Sequence, residues 1–512
     1  MKNSAKLARA IGLVTLVTFI AKGLGILRDA LQARAFGAET FDVTMFTAAN
    51  NSTIYIFTTV AYALCLAAIP IFSKKLIQGK DECFKAANYL ISLCFLASII
   101  VCGLLLIFNY TGLLASFDNV EGSPVMFERF VLYMVPTLPV IVISYLLVAL
   151  FQSMGHYSLQ GSLSLLYNAF LCFVLLFFGD KLTMDSFVIL TSAAWLLQFA
   201  MVVPYIIKEK YRFRFRFGIY GTGAHFGLFF RTAIVTIFTT SVFLFCYLLD
   251  YSMAFSIGKT APTSFYYADK LFTPLITTLM YSIGAVLFPQ FNLESSRMSA
   301  SEYRSYIGKV IENTVVLLLP ISVLFCVYGV QIIEVLFEGS EFTHTASIST
   351  GTVFGIYSLG MVGFALLDLL SKAYYAMQKT ITPLVTNAIV VVLNFVIGTI
   401  LLNFYKNSLV LALATSVAMT IGGIILSVIF FKGHGSPIKL IRILKSIILS
   451  CVMGGGLWLI NTIVLNGNES KIMLIVKCGF CGIIGFIVYL LLFGDLELLT
   501  TFKNKFFKDR RK

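Results

Sequence analysis

GILRDALQARAFG, residues 25–37, stands at the end of an apolar run that is long enough to form a membrane helix. It contains Arg28, Asp29 and Arg34, and Lys22 precedes it within the same run. A charged side chain at membrane depth is costly and needs a partner, a water-filled cavity or a ligand. The charges of this stretch therefore indicate where a function within the membrane is to be sought.

The composition around this stretch is that of a chain buried in lipid. Of 512 residues, 59% are hydrophobic and 12% are charged, and the mean hydropathy is +0.91. Soluble domains are about 45–50% apolar and about 25% charged. We therefore predict an all-α polytopic membrane protein, because a water-soluble fold could not bury so much apolar surface.

Fourteen segments are long and apolar enough to cross a bilayer, which requires about 20 residues for each helix. They cover residues 8–35, 44–73, 84–109, 125–153, 158–178, 184–207, 224–256, 262–291, 307–335, 348–377, 382–404, 408–431, 438–465 and 471–493. The first two and the seventh to ninth exceed the length of a straight span, so tilting or bending is expected.

The basic residues indicate the orientation. An even number of spans places both termini on one side, and that side holds 26 of the 38 lysines and arginines. Positive charge accumulates on the cytoplasmic side, so cytoplasmic termini are predicted. The net charge of +14 then reflects topology and contact with membrane lipids, and no nucleic-acid partner is expected. The segment YRFRFRF (211–217) is predicted to lie at the membrane interface.

A weak internal repeat predicts two lobes. Tyr62 and Pro70 of the second span align with Tyr281 and Pro289 of the eighth at a constant offset of 219, which also places Asn51 opposite Lys270. Pseudo-symmetric lobes around a midplane site are common in transporters. We expect two six-helix lobes, 1–218 and 219–434, followed by 435–512 with two further helices and a basic tail.

The charges within spans admit two interpretations. Lys22 and Asp29 share one face of a helix, whereas Arg28 projects roughly 100° away from Asp29. In SFYYADKLFTP (264–274), Asp269 and Lys270 lie between aromatic residues. These groups either form ion pairs between helices or line a basic cavity for an anionic substrate such as a diphosphate. The four histidines are scattered and no hydrolase or nucleotide-binding motif occurs, so we expect no enzyme.

Three further polar residues suggest a coupling cation. Asp250, Asn394 and Thr415 could supply oxygen ligands to Na⁺, or they could form hydrogen bonds between helices. Coupling to H⁺ or to the membrane potential is also compatible with the sequence, which contains no cofactor motif.

GILRDALQARAFGAETFD (25–42), SFYYADKLFTP with the later GAVLFP (284–289), and LSKAYYAMQKTITP (370–383) carry a resemblance to a known family. The chain resembles the MurJ/MviN lipid II flippases of the MOP exporter superfamily. The resemblance implies flipping of a lipid-linked peptidoglycan precursor from the inner to the outer leaflet of the bacterial cytoplasmic membrane. It also implies alternating access around a cationic cavity, and a groove for the polyprenyl tail at the last two helices.

The resemblance also implies site residues and partners. The basic positions of the first helix fall on Lys22 and Arg28, that of the eighth falls on Lys270, and the acidic position after the first helix falls on Asp42. With Asp29 and Asn51, these residues are the predicted substrate site. Lipid II or a related undecaprenyl-diphosphate-linked glycan, membrane lipids and cell-wall synthesis proteins are the implied partners.

The sequence departs from the family pattern in ways that keep alternatives open. Two expected arginines are lysines, and Asn50, Asn51 and Tyr55 stand where the second helix usually carries a basic residue. Gly398 replaces the acidic ligand expected after Asn394. A less positive cavity suits an exporter of another polyprenyl-diphosphate-linked oligosaccharide. A cation-coupled drug exporter and a non-transporting scaffold are the remaining alternatives.

Overall fold

The computed structural model describes most of the chain. The described residues are 20–37, 40–114, 124–156, 159, 162–217, 223–258, 261–277, 280, 298–339, 341–377, 379, 381–432, 438–464 and 471–494. Within these ranges the regular structure is helical and no β-strand occurs. The predicted all-α class is confirmed.

The chain divides into two compact units, which are described separately. The first unit comprises Met1–Pro274, Leu336–Ala346 and Leu402–Leu411. Its helices are α1 (20–36), α2 (Phe41–Asn50), α3 (Ile56–Gln78), α4 (Lys80–Tyr110), α5 (Pro124–Met134), α6 (Leu138–Ser153), α7 (Leu165–Phe178), α8 (Met184–Ala200), α9 (Val203–Glu209), α10 (Gly223–Thr240), α11 (Val242–Ala254) and α12 (261–277), the last of which continues three residues beyond the unit.

The second unit comprises Leu275–Val335, Ser347–Leu401 and Ala412–Lys512. Its helices, some of which extend a few residues past these bounds, are α13 (Ala300–Val327), α14 (Gly329–Leu336), α15 (His344–Leu359), α16 (Met361–Ala376), α17 (Ile381–Phe404), α18 (Ser408–Phe431), α19 (Leu440–Val464) and α20 (Lys471–Phe493). The proposed repeat and the lobe boundaries at 218 and 434 remain predictions, and Tyr281 and Pro289 lie outside the described residues.

The described residues contain nine helices that are long and apolar enough to cross a membrane, and eleven if each of two bent pairs is one span. The bent pairs are 229–254, with an angle of 52°, and 344–375, with an angle of 44°. The described parts of the predicted first, fifth and eighth spans are α1, α7 and α12, and the remaining residues of the first and eighth spans lie largely outside the described residues. The polytopic architecture is therefore confirmed, and the count of fourteen remains a prediction.

Small residues allow α3 to pack closely with its neighbours in the first unit. α3 lies against α4, α6 and α10. Ala61, Ala63, Cys65, Ala67 and Ala68 of this helix are each at most 2% exposed. Small side chains let helix backbones approach closely in membranes, where the apolar environment gives little other drive for association.

A π-helical turn at Asn51–Tyr55 joins α2 to α3. π turns are rare and insert extra residues into an α-helix, often at functional sites. Asn51 Nδ2 donates a hydrogen bond to the Tyr247 hydroxyl over 2.9 Å, and the Thr47 and Tyr251 hydroxyls lie 2.5 Å apart. These bonds tie α2 and the π turn to α11. The irregular turn also sets the direction in which the side chain of Tyr55 points.

In the second unit, α13 packs against α16, α19 and α20. The Tyr489 hydroxyl of α20 donates to the Val316 carbonyl over 2.9 Å and lies 2.6 Å from the Ser446 hydroxyl, so it links three helices. The glycines of α19 and α20 have two kinds of surroundings. Gly454 and Gly482 lie against α13 side chains, whereas Gly455, Gly456 and Gly479 have no neighbouring atom within 4 Å of an added Cβ among the described residues.

We expect Gly363→Ala to destabilise the protein. A Cβ at Gly363 of α16 would lie 2.5 Å from the backbone nitrogen of Thr420 in α18, and a backbone atom cannot rotate away. Overpacking of this kind costs about 1–3 kcal/mol in the free energy of unfolding. Thermal unfolding of the purified protein in detergent measures the loss. The control is Gly455→Ala in α19, where the helical alanine should give a small gain in stability; equal unfolding temperatures for both variants would contradict the close packing.

Candidate functional site

Arg28 and Asp29 of α1 form a buried ion pair. Arg28 Nη2 lies 2.5 Å from Asp29 Oδ1, and Arg28 Nη1 donates to Asn168 Oδ1 of α7 over 2.8 Å. The guanidinium carbon lies 5.0 Å from the centre of the Tyr167 ring. Sequence reasoning placed the two charges on different faces of the helix; the long arginine side chain bends back to its neighbour instead.

Asn168 holds this pair in place from α7. Its Nδ2 atom donates to the backbone carbonyl of Ala21 over 3.0 Å while its carbonyl oxygen accepts from Arg28. A Cβ at Gly25 would lie 3.4 Å from that amide nitrogen, which is an ordinary van der Waals distance. The hydrogen bonds of Asn168, and not the glycine, thus fix the contact between α1 and α7.

Asp269 and Lys270 of α12 have different surroundings although they are adjacent. Asp269 accepts hydrogen bonds from the Tyr55 hydroxyl over 2.8 Å and from the Thr273 hydroxyl over 2.6 Å. Lys270 Nζ lies 5.2 Å from the centre of the Tyr55 ring and 4.9 Å from that of Tyr266. Among the described residues Lys270 forms no ion pair, so its charge is held by aromatic faces.

A cavity of about 160 Å³ within the first unit brings Arg28 and Lys270 together. Its wall also contains polar and aromatic side chains: Gln32, Phe46, Asn50, Ile54, Tyr55, Thr58, Tyr167, Leu171, Phe187, Thr191, Trp195 and Tyr266. Asp29 and Asp269 are not part of this wall. Both charged side chains that face the cavity are therefore cationic.

The Thr191 hydroxyl adds an unused polar group to this wall. It is buried and has no hydrogen-bond partner among the described residues. Buried polar atoms normally have a partner, and one that lines a cavity is satisfied by water or by a bound molecule. The cavity thus offers two cations, a hydroxyl and aromatic faces, a combination suited to the oxygen atoms of a phosphate or diphosphate.

The other predicted substrate residues are not part of the wall of this cavity. Lys22 Nζ donates to the Pro274 carbonyl over 3.3 Å. Asp42 is exposed in the first turn of α2, and the buried Asn51 is bonded to Tyr247. In their place the wall contains Asn50, one residue away from Asn51, and Tyr55. The assignment of these residues to the substrate site remains a prediction.

The three residues proposed for a cation are distributed over both units. Asp250 is fully buried in the first unit. Asn394 and Thr415 belong to the second, where the Thr415 hydroxyl donates to Asn394 Oδ1 over 3.0 Å. That bond is the interhelical hydrogen bond of the simpler interpretation, and a cation site remains a prediction.

Aromatic residues are the largest group that sequence reasoning missed. Tyr167, Trp195 and Tyr266 form much of the cavity wall, and the rings of Tyr167 and Trp195 lie 4.7 Å apart. The only sequence signal was the cluster of aromatic residues before Asp269. In a chain with 14% aromatic residues such a cluster is not distinctive.

Comparison with known proteins gives a consistent picture. A family model described as Lipid II flippase MurJ matches residues 32–477. The probable lipid II flippase MurJ of Buchnera aphidicola subsp. Acyrthosiphon pisum (strain APS) is 23% identical over 424 residues, which cover 81% of this chain and 82% of the relative. The structure of lipid II flippase MurJ in an inward closed conformation matches with a TM-score of 0.77 at 19% identity, over 98% of this chain and 100% of that chain.

A more distant fold relative is an inward-facing multidrug resistance MATE family transporter of the MOP superfamily. It matches with a TM-score of 0.62 at 10% identity, over 84% of this chain and 95% of that chain. Identity this low is evidence for a common fold alone.

We expect Asp29→Asn to destabilise the first unit. The change leaves the buried guanidinium of Arg28 without its carboxylate, and breaking a buried pair in this way costs about 3–5 kcal/mol. Asp42→Asn is the matched control because Asp42 is exposed, and surface changes usually stay within about 0.5 kcal/mol. Thermal unfolding in detergent compares the two variants. Equal stability would mean that the pair contributes nothing to the fold.

Proposed function

The chain belongs to the MurJ family of lipid II flippases, and we propose that it carries lipid II across the membrane with the diphosphate held by Arg28 and Lys270. The observation that carries this proposal is the cavity wall, in which both charged side chains are cationic while the neighbouring carboxylates face elsewhere. Contacts between a cation and a phosphate oxygen strengthen away from bulk water. A lipid-linked diphosphate would therefore bind here more readily than a cationic solute.

The two cations have separate tasks in this proposal. Arg28 is fixed by Asp29 and Asn168, so its guanidinium presents a constant direction to the substrate. Lys270 is held by ring faces and keeps a flexible ammonium that can follow a moving phosphate. Tyr55 links Lys270 to the π turn, because its ring supports Lys270 while its hydroxyl bonds to Asp269.

The size of the cavity favours alternating access. Pockets that enclose drug-sized ligands measure about 300–1,000 Å³, whereas this cavity measures about 160 Å³. It could admit a phosphate group but not a glycan headgroup. Transport of the whole headgroup therefore requires a state in which the cavity is wider, and we propose that the cavity opens to one leaflet at a time.

We propose that the protein works in the bacterial cytoplasmic membrane with both termini in the cytoplasm. The excess of lysine and arginine in the loops on that side supports this orientation. Lipid II would then enter from the inner leaflet and leave to the outer one.

A second substrate of the same class has one observation in its favour. Asn50 and Tyr55 line the cavity in the region where the family pattern has a basic residue. A weaker positive potential suits another polyprenyl-diphosphate-linked glycan as well. Export of cationic drugs fits less well, because no carboxylate faces the cavity in the described part of the chain.

Rescue of a bacterium depleted of its own lipid II flippase tests the proposal. At matched membrane abundance, the native chain should restore growth and the appearance of lipid II in the outer leaflet. Arg28→Ala and Lys270→Ala should each lower flipping by roughly ten- to a hundredfold, the value of a hydrogen bond to a charged group. The double variant Arg28→Gln/Asp29→Asn removes both charges and separates lost transport from the unbalanced charge of Arg28→Ala.

Arg129→Ala is the control, because Arg129 pairs with Asp185 outside the cavity and is 44% exposed. It should rescue as the native chain does. Rescue by Arg28→Ala and Lys270→Ala together would contradict transport through this cavity and would favour a scaffolding role. Failure of the native chain despite normal insertion would favour the other lipid-linked glycan.

Tyr55 offers a separate test of how Lys270 is held. Tyr55→Leu removes the ring, and a desolvated cation–π contact is worth about 2 kcal/mol, or roughly thirtyfold in binding. Tyr55→Phe keeps the ring and loses only the hydrogen bond to Asp269, so its loss should be smaller. Flipping rates of the two variants give the comparison, and equal losses would show that the hydroxyl alone matters.

A further inference from the structure

Residues 211–217, YRFRFRF, form a segment that we call the basic strap. It follows α9 and has no regular secondary structure. Tyr211, Phe213 and Phe215 line a cavity of about 300 Å³ in the first unit, whereas the arginines between them do not. Three of the four aromatic side chains of the strap therefore line the cavity, whereas Phe217 and the three arginines do not.

Hydrogen bonds to α4 hold the strap in this position. The Tyr211 hydroxyl donates to Asn88 Oδ1 over 2.5 Å, and Asn88 Nδ2 donates to the Arg212 carbonyl over 3.4 Å. The backbone nitrogen of Arg216 donates to the Ser92 hydroxyl over 3.0 Å. Asn88 and Ser92 are buried one turn apart in α4, so the position of the strap is built into the helix.

The cavity behind the strap is apolar. Side chains from four helices line it, among them Phe95 of α4, Ile143 and Leu147 of α6, Phe199 of α8 and Ile206 of α9. The one polar side chain in its wall is Tyr211, whose hydroxyl is already bonded to Asn88. An occupant would gain no hydrogen bond inside, so the cavity suits a hydrocarbon chain.

The positive charge of the strap is not neutralised by neighbouring carboxylates in the described part of the chain. Arg212 and Arg214 are exposed and form no ion pair among the described residues. The carboxylate of Glu209 is occupied by Lys80 at 2.8 Å and by His156 at 2.7 Å.

Glu82, which acts electrostatically on Arg216, is bonded to Lys85 at 2.6 Å. Residues 208–216 thus contain one acidic residue, Glu209, and five basic residues: Lys208, Lys210, Arg212, Arg214 and Arg216.

We propose that the basic strap and its cavity bind an anionic phospholipid of the adjoining leaflet. One acyl chain occupies the apolar cavity, and the phosphate lies against Arg212 and Arg214. The aromatic side chains of the strap suit the boundary of the acyl chains, and its arginines suit the adjoining layer of lipid headgroups. Each basic residue near an anionic surface contributes about 1 kcal/mol of attraction, or about fivefold in affinity.

This site is distinct from the transport cavity. The two walls share no residue, and the strap cavity contains neither Arg28 nor Lys270. Binding of the phospholipid therefore does not depend on which lipid-linked glycan is carried.

The experiment uses the purified full-length protein in phosphatidylcholine vesicles. Each vesicle preparation contains a trace of phosphatidylglycerol or of phosphatidylcholine that carries a spin label on its acyl chain. Electron paramagnetic resonance then measures the fraction of labelled lipid whose motion is restricted by the protein. We expect the native protein to prefer phosphatidylglycerol. Arg212→Gln/Arg214→Gln should reduce that preference about fivefold for each arginine removed, whereas Arg212→Lys/Arg214→Lys should largely keep it.

Two matched controls test the location. Lys74→Gln/Lys75→Gln removes the same charge at the end of α3 and should leave the preference unchanged. Ile143→Phe fills the cavity and should lower restriction of both lipids, whereas Ile100→Phe, on the exposed face of α4, should not. Thermal unfolding confirms that each variant is folded.

Four outcomes would overturn the proposal. The preference could persist in Arg212→Gln/Arg214→Gln, or fall equally in Lys74→Gln/Lys75→Gln, which would indicate general surface charge. Restriction could be unaffected by Ile143→Phe, which would place the chain elsewhere. The double variant Arg28→Gln/Asp29→Asn, which leaves no unbalanced charge, should bind phospholipid as the native protein does; loss of binding in that variant would assign the labelled lipid to the transport cavity.

Discussion

The high cost of an uncompensated charge in a low-dielectric interior governs the arrangement of the first unit. Arg28 is compensated by Asp29, Asp269 by two hydroxyl groups, and Lys270 by two aromatic rings. Two of these arrangements also need a neighbouring element: Asn168 of α7 bonds to Arg28, and Tyr55 of the π turn contacts both Asp269 and Lys270. The cavity is cationic because neither carboxylate is part of its wall.

The π turn shows how local irregularity serves this arrangement. A regular helix through Asn51 would advance each side chain by roughly 100° for every residue and would point Tyr55 in another direction. The hydrogen bond from Asn51 to Tyr247 anchors the irregular turn, and Tyr55 then meets both Asp269 and Lys270. Asn51, which is not part of the cavity wall, thereby helps to place Tyr55 in that wall.

The sequence predicted the class of fold and the polytopic architecture, and it singled out Arg28 and Lys270, because composition and intramembrane charge are visible without a structure. It did not distinguish Asn50 from Asn51 at the cavity wall, since adjacent helical residues differ by a rotation that only packing determines. It also missed Asn168, Thr191 and Trp195, which come from distant helices and carry no charge. The sequence also did not show how far a long side chain can reach along its own helix, and Arg28, which bends back to Asp29, is the example.

The ion pair of α1 has a consequence for movement. Arg28 and Asp29 are neighbours on one helix, so a rigid rotation or translation of α1 carries both and separates no opposite charges. Lys270 differs, because one of its supporting rings, that of Tyr55, belongs to the π turn and not to α12. A rigid displacement of α1 therefore leaves its own ion pair intact. Displacement of α12 relative to Tyr55, by contrast, removes one of the two rings that contact the Lys270 ammonium group. Movement of α1 instead breaks the bonds of Arg28 and Ala21 to Asn168, so the contacts with α7, and not the ion pair, restrain the first helix.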